Sequence, residues 1–160
     1  MADQSEHFFV KSTDSHYVDV IFTILRKCGY NMARKGLFHW IPSYSKRAIR
    51  KDCMNHWVVL FFDKNLNAFT STIQMVKLNE SELYLRKLAT LPEYEGRGIG
   101  KANLLFAESF ARENGFTKTK LDVYVKSEHA ISLYRRLGYQ VTGTKRSVRF
   151  KELSMEKDLC

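Results

Sequence analysis

Three glycines at alternate positions, Gly96, Gly98 and Gly100, stand between an extended apolar run and an amphipathic helical stretch. A turn that passes an extended chain directly into a helix implies a sheet with helices packed on it. The first N–H groups of a helix have no intrahelical acceptor, and with the helix dipole they attract phosphate. Glycine lets that backbone approach an anion closely. Arg97 and Lys101 add positive charge beside the turn. No G-x-x-x-x-G-K-[ST] can be written across it, and a G-x-G-x-x-G would need glycine at position 101 or 103, where lysine and asparagine stand. Spacing alone leaves two readings, an anion site or a tight connection.

The pattern on either side predicts a first strand over residues 7–11. A helix follows, capped by Asp14 or Ser15, with Val18, Ile21, Phe22 and Leu25 on one face and Gly29 closing it. A shorter helix is expected over 44–53, its Lys46, Arg47, Arg50 and Lys51 solvated. Residues 56–62 and 68–77 read as a hairpin joined by Asp63-Lys64-Asn65. In the next strand, 83–91, the apolar phase runs Leu83, Leu85 and then steps to Leu88, which suggests a β-bulge. The helix after the glycine turn, 99–114, carries Ala102, Leu105, Phe106, Ser109 and Phe110 on one face and stops at Gly115. Leu121, Val123 and Val125 alternate as a strand. Ser127 can cap a helix whose face holds Ala130, Leu133, Tyr134 and Leu137 before Gly138, and the tail supplies two further strand-like runs. The order β-α-α-β-β-β-α-β-α-β-β is that of a mixed α/β sheet with helices on its faces.

A chain of 160 residues, 44% apolar and with no linker-like tract, is expected to form a single domain spanning 1–160. Twenty-six Lys and Arg against seventeen Asp and Glu leave a formal charge of +9, which favours a polyanionic partner: nucleic acid, a membrane surface or a phosphate-rich small molecule. No stretch approaches the roughly 18 apolar residues a membrane span needs. Cys28, Cys53 and Cys160 form no C-x-x-C pair, and His39, His56 and His129 have no ligand spacing, so no disulfide framework and no metal site is expected. A reducing, cytoplasmic setting fits.

LATLPEYEGRGIGKANLLFAESFARENG resembles the acetyl-CoA motif of the GNAT superfamily of N-acetyltransferases: a strand, Pro-Glu-Tyr, the loop R/Q-x-x-G-x-G/A, and a helix. LDVYVKSEHAISLYRRLGYQVTG resembles the family's next motif, a strand and then a helix ending in Leu-Tyr-x-x-x-Gly-Tyr/Phe. The likeness covers residues 83–143. Two departures stand out: Glu95 replaces the usual Gln or Arg at the head of the loop, and Ser127 replaces the Asn usual near the start of the later helix.

The resemblance implies a central mixed, mostly antiparallel twisted sheet of about seven strands flanked by about four helices. It also implies a cytoplasmic N-acetyltransferase, monomer or homodimer, with no nucleic-acid or membrane partner. Acetyl-CoA would be the acyl donor and a primary amine the acceptor, attacking directly through a tetrahedral intermediate. The amine could belong to a small amine, an amino-acid-like metabolite or a protein. A catalytically inactive CoA-binding sensor or scaffold, or a basic nucleic-acid-binding module, would be the alternatives.

By the same resemblance, Glu95, Gly96, Arg97, Gly98, Ile99, Gly100 and Lys101 hold the pyrophosphate mainly through main-chain N–H groups. Leu88, Ala89 and Thr90 pair with the pantetheine arm and present an N–H to the acetyl carbonyl, and Ser127 and Tyr134 complete the donor site. Tyr134 resembles the family's proton donor, and an unperturbed phenol near pKa ~10 suits an alkyl thiolate leaving group. Its spacing equally fits core packing. Many members place a Glu where this chain has Arg86 and Lys87, which either bind an anionic group of the acceptor or are solvated. Glu82 and Tyr84 remain candidate bases through a water, beside loss of the amine proton to solvent. Trp40 and Tyr44, in the aromatic loop around Pro42, either wall the acceptor site or staple two helices.

Overall fold

A computed structural model describes residues 5–41 and 44–160, so Pro42 of the aromatic loop lies outside the described residues. The strands are β1 (Ser5–Phe9), β2 (Trp57–Asp63), β3 (Ala68–Lys77), β4 (Glu82–Thr90), β5 (Lys118–Tyr124), β6 (Gln140–Arg146) and β7 (Lys151–Asp158). The helices are α1 (Ser15–Arg34), α2 (Lys46–Asn55), α3 (Ile99–Glu113) and α4 (Glu128–Arg136), with a 3-10 turn over Pro92–Tyr94. The seven strands follow the order β1-β2-β3-β4-β5-β7-β6. β4 and β5 run parallel, while β1–β2, β2–β3, β5–β7 and β6–β7 are antiparallel, so the mostly antiparallel mixed sheet with four helices is as expected. The residues group into two compact units, Met1–Met75 with Lys87–Asn103 and Val76–Arg86 with Leu104–Cys160. Each takes two separate stretches of chain, so no single cut in the sequence divides them.

In the first unit, α1 buries Val18, Ile21, Ile24, Leu25 and Cys28 at helical spacing against Val58 and Leu60 of β2 and Ala89 of β4, in one apolar cluster. The helix does not close at Gly29 as expected. A Cβ at Gly29 would lie 3.2 Å from the Trp40 carbonyl oxygen, so this glycine serves close approach of the loop. α1 runs on to Arg34, and left-handed Gly36, at φ 83, follows it. Asp14 occupies the N-cap position, but its carboxylate accepts from the Lys11 N–H at 2.9 Å instead of capping the helix. α2 starts at Lys46 because Ser45 Oγ accepts from the Ala48 N–H. In the β2–β3 hairpin, Asp63 Oδ1 accepts from the N–H groups of Asn65 and Leu66, the turn chemistry expected there.

In the second unit, Thr119, Leu121 and Val123 of β5 point inward, and Val125 falls beyond the strand end. The buried face of α3 differs from the expected one. Ala102, Leu105 and Ser109 are exposed, while Asn103, Leu104, Ala107, Glu108 and Ala111 are buried. Two polar side chains displaced the apparent apolar stripe, and both have partners. Asn103 Nδ2 donates to Ser71 Oγ within the first unit. Glu108, 1% exposed, accepts from Lys157 Nζ at 2.7 Å and from the Tyr139 hydroxyl at 3.1 Å, and that hydroxyl also bonds Thr119 Oγ1.

Removing one member of a buried ion pair strands the other charge. Lys157→Met is therefore expected to cost about 3 kcal/mol in urea denaturation. A loss below about 1 kcal/mol would show that Glu108 does not depend on Lys157.

Candidate active site

The turn after β4 has the geometry of an anion cradle. Gly96 and Gly98 hold φ of 79° and 78°, left-handed values that residues with a side chain adopt only under strain. Alternating left-handed residues converge successive N–H groups on one side of the chain. Among the described residues, no acceptor faces the N–H groups of residues 96–101, and the first to find one is Ala102, bonded to the Gly98 carbonyl at 3.0 Å. The dipole of fifteen-residue α3 points at the same place. The Arg97 guanidinium lies 5.9 Å from the Tyr94 ring centroid, and Lys101 is exposed.

Glu95, the departure at the head of the loop, is tied back to α1. Its carboxylate accepts from Asn31 Nδ2 at 3.3 Å and lies 3.8 Å from Lys35 Nζ. Its charge thus has a cation of its own beside it.

The backbone irregularity inferred before Leu88 is present one residue earlier. Lys87 takes φ 51, and burial resumes at Ala89 while Leu88 is only half-buried. The Cys28 thiol donates to the Thr90 carbonyl at 3.0 Å, anchoring the strand end to α1. Lys87 is committed within the protein: its ammonium is 2.7 Å from Asp52 Oδ2 and 4.0 Å from the Tyr44 ring centroid. Gln74 Nε2 donates to the same Asp52 oxygen at 3.0 Å. Trp40 and Tyr44 meet edge-on at 6.1 Å, both half-buried against the apolar cluster of α1 and β2.

In the second unit, the parallel ladder of β4 and β5 pairs Glu82 with Lys118, Leu83 with Thr119 and Tyr84 with Lys120. Glu82 is held by Lys120 at 2.9 Å and Asn79 at 2.7 Å, and the hydrogen bond from Lys120, then that from Asn79, keeps its carboxyl below the usual range. The Tyr84 hydroxyl donates to Asp122 Oδ2 at 2.8 Å; burial, then that bond, pushes its phenol up, and the nearby Arg86 charge opposes the rise. Two carboxylates that sequence reasoning missed stand close by. Asp122 also accepts from Ser154 Oγ at 2.8 Å, with Lys145 Nζ 3.6 Å away. Burial, then the Asp122 charge, raises the carboxyl of Glu152. Tyr84, Asp122, Lys145 and Ser154 line a cleft of about 330 Å³. The available signal was an acid set inside the otherwise apolar alternation Leu121-Asp122-Val123.

Ser127 takes the N-cap position of α4, but its side chain makes no capping bond. Tyr134 packs edge-on against Tyr139, ring centroids 6.0 Å apart. It is not the unperturbed phenol expected, because burial pushes its pKa up to about 12. The wall behind it is firm, since Tyr139 is bonded to Glu108 and Thr119.

The family model described as Acetyltransferase (GNAT) family matches residues 19–139. The chain belongs to this family. N-acetyltransferase 8B of Homo sapiens is 36% identical over 66 residues, 41% of this chain and 29% of that protein. Uncharacterized N-acetyltransferase YesJ of Bacillus subtilis (strain 168) is 34% identical over 65 residues, 41% of this chain and 36% of that protein. The matched segment spans only about a third of these curated relatives. In fold, the chain is similar to PaiA N-acetyltransferase from Thermoplasma acidophilum, solved in complex with coenzyme A, with a TM-score of 0.78 at 21% identity over 98% of this chain and 99% of that one.

Among the described residues no group of three or more His, Cys, Asp or Glu is placed to hold a metal ion, and no helix is long and apolar enough to cross a membrane. Burial, then the charges of Glu95 and Glu93, pushes the Cys28 thiol up to about 12, and burial with Asp52 raises Cys53 to about 11. The thiolate is the reactive form. At pH ~8 a limiting alkylating reagent should therefore mark exposed Cys160 and spare Cys28 in the folded protein, as read by peptide mass mapping. Preferential labelling of Cys28 would contradict this picture.

Proposed function

We propose that the chain is a single-domain N-acetyltransferase that takes its acyl group from acetyl-CoA and passes it to a primary amine. The observation that carries the reading is the row of N–H groups over residues 96–101 that find no acceptor among the described residues, at the head of α3 and beginning at the left-handed Gly96 and Gly98. A pyrophosphate supplies the acceptors these groups lack, and Arg97 and Lys101 add cations. Family membership and the fold shared with a coenzyme A-bound acetyltransferase support the same donor.

In this reading the backbone of Leu88, Ala89 and Thr90 lies along the pantetheine arm, and Ser127 and Tyr134 are proposed as further donor contacts. The neutral amine attacks the thioester carbonyl, a backbone N–H steadies the tetrahedral oxyanion, and the C–S bond breaks. Tyr134 gives its proton to the departing thiolate and regains one from solvent. A phenol held near 12 stays protonated throughout the working range. Glu82, held by Lys120, and Tyr84, donating to Asp122, are poorly placed to take the amine proton directly. Asp122, the carboxylate Tyr84 reaches, is the better relay to solvent. Trp40, Tyr44 and Arg86 are the proposed acceptor contacts; Lys87 is already held by Asp52. The acceptor is a small amine, an amino-acid-like metabolite or a protein amine.

Acetyl-CoA should raise the melting temperature of the wild type. Gly98→Asp, which adds negative charge at a left-handed residue, should weaken binding tenfold or more by calorimetry, on the order of 1.4 kcal/mol. Equal affinity in the two proteins would remove the turn from the donor site. Tyr134→Phe should keep acetyl-CoA affinity and lower kcat about a hundredfold in thiol release across an amine panel. Binding without turnover on any amine would instead leave a CoA-binding sensor.

A further inference from the structure

Two residues other than glycine hold a left-handed φ among the described residues, Asn67 and Lys87. Asn67 sits in the β2–β3 turn, where asparagine tolerates that conformation. Lys87 has no such excuse: it lies inside β4, and lysine gains nothing locally from a positive φ. Something outside the strand must hold it there.

We propose that Asp52 and Lys87 are a positioning pair, in which α2 grips the ammonium of Lys87 and so fixes the left-handed step that aims the N–H groups of Leu88, Ala89 and Thr90. The grip is short and sheltered: Nζ lies 2.7 Å from Asp52 Oδ2, with the two side chains 13% and 14% exposed. Gln74 of β3, 1% exposed, donates to the same carboxylate oxygen, and the Tyr44 ring lies against the ammonium. Each partner is costly to leave alone when sheltered from water, so the side chain cannot easily let go. A regular extended φ at residue 87 would re-aim the side chain that now carries the ammonium to Asp52. Backbone conformation and ion pair therefore hold together or fail together. The proposal rests on the acetyl-transfer reading in one respect only, that the backbone after Lys87 faces the thioester.

An ordinary structural salt bridge would lower stability when broken and nothing more. A positioning pair predicts a particular rescue. Asp52→Asn should lower kcat about tenfold and leave acetyl-CoA affinity within about twofold, because the grip is lost and the strained lysine relaxes. Glycine needs no grip to hold a positive φ. Lys87→Gly introduced into Asp52→Asn should therefore recover most of the lost turnover. Amide hydrogen exchange gives a second readout that needs no turnover: exchange at Leu88–Thr90 should quicken in Asp52→Asn and return towards the wild-type rate in the double variant. A drop in melting temperature with unchanged kcat and unchanged exchange would reduce the pair to a structural salt bridge, and losses that multiply in the double variant would overturn the proposal. If the wild type binds acetyl-CoA but turns over no amine, the acetyl-transfer reading fails by itself, and the exchange pattern still decides this inference.

Discussion

A strand whose backbone steps out of its regular conformation is the constraint on which the candidate site depends. β4 begins as an ordinary parallel partner of β5 over Glu82–Tyr84, turns left-handed at Lys87, and ends with its Thr90 carbonyl bonded by Cys28 and the Leu91 N–H bonded to Thr70. A non-glycine residue in that conformation costs roughly 1 kcal/mol or more. Such strain persists only where surroundings over-determine it, and here they do: the Lys87 ammonium meets a carboxylate of α2 and an aromatic face, and an amide N–H from β3 holds that same carboxylate. Strain and restraint lie next to the segment that the proposed chemistry needs most accurately placed.

The second determinant is electrostatic. The glycine turn leaves a row of N–H groups without acceptors among the described residues, while the acid at its head, Glu95, is drawn towards Asn31 of α1 and Lys35 at its C-cap. An exposed pair such as Lys35–Glu95 adds little stability. Its effect is on the local field: a carboxylate with its own cation opposes an incoming anion less than a bare one. The positive charge of Arg97 and Lys101 is then left to act at the turn. In the second unit the same economy of charge appears below the surface, where Glu108, Lys157, Tyr139 and Thr119 satisfy one another behind Tyr134. The half-buried phenol of Tyr134 keeps its proton at neutral pH, though burial also makes it a weaker acid than an unperturbed tyrosine.

Much of this was legible in the order of residues, because it depends on neighbours along the chain. The glycine turn, the Ser127 helix start, the Asp63 turn and the hairpin it joins, and the phase skip in β4 are all local devices set by residues a few positions apart. The two GNAT motifs are likewise contiguous, so the family could be read from residues 83–143 alone. Gly29 was misread for the same reason: near a helix end, glycine means termination, and only the Trp40 carbonyl packed 3.2 Å from its absent Cβ shows otherwise.

What the sequence could not decide is which polar side chains turn inward and what they meet there. Asn103 and Glu108 fall off the apolar stripe read for α3, since hydropathy scores a residue without its partner; Ser71 and Lys157 on strands and Tyr139 just before β6 arrive from far away in sequence and make burial tolerable. Lys87, which the sequence left as an acceptor contact or a solvated charge, meets Asp52, 35 positions away, at 2.7 Å. The sequence by itself determined the family, the element order and the glycine turn at the head of α3, because local backbone chemistry specifies them. The tertiary structure alone decided the fate of each charge, because a buried ion is stable only beside a partner that the fold delivers.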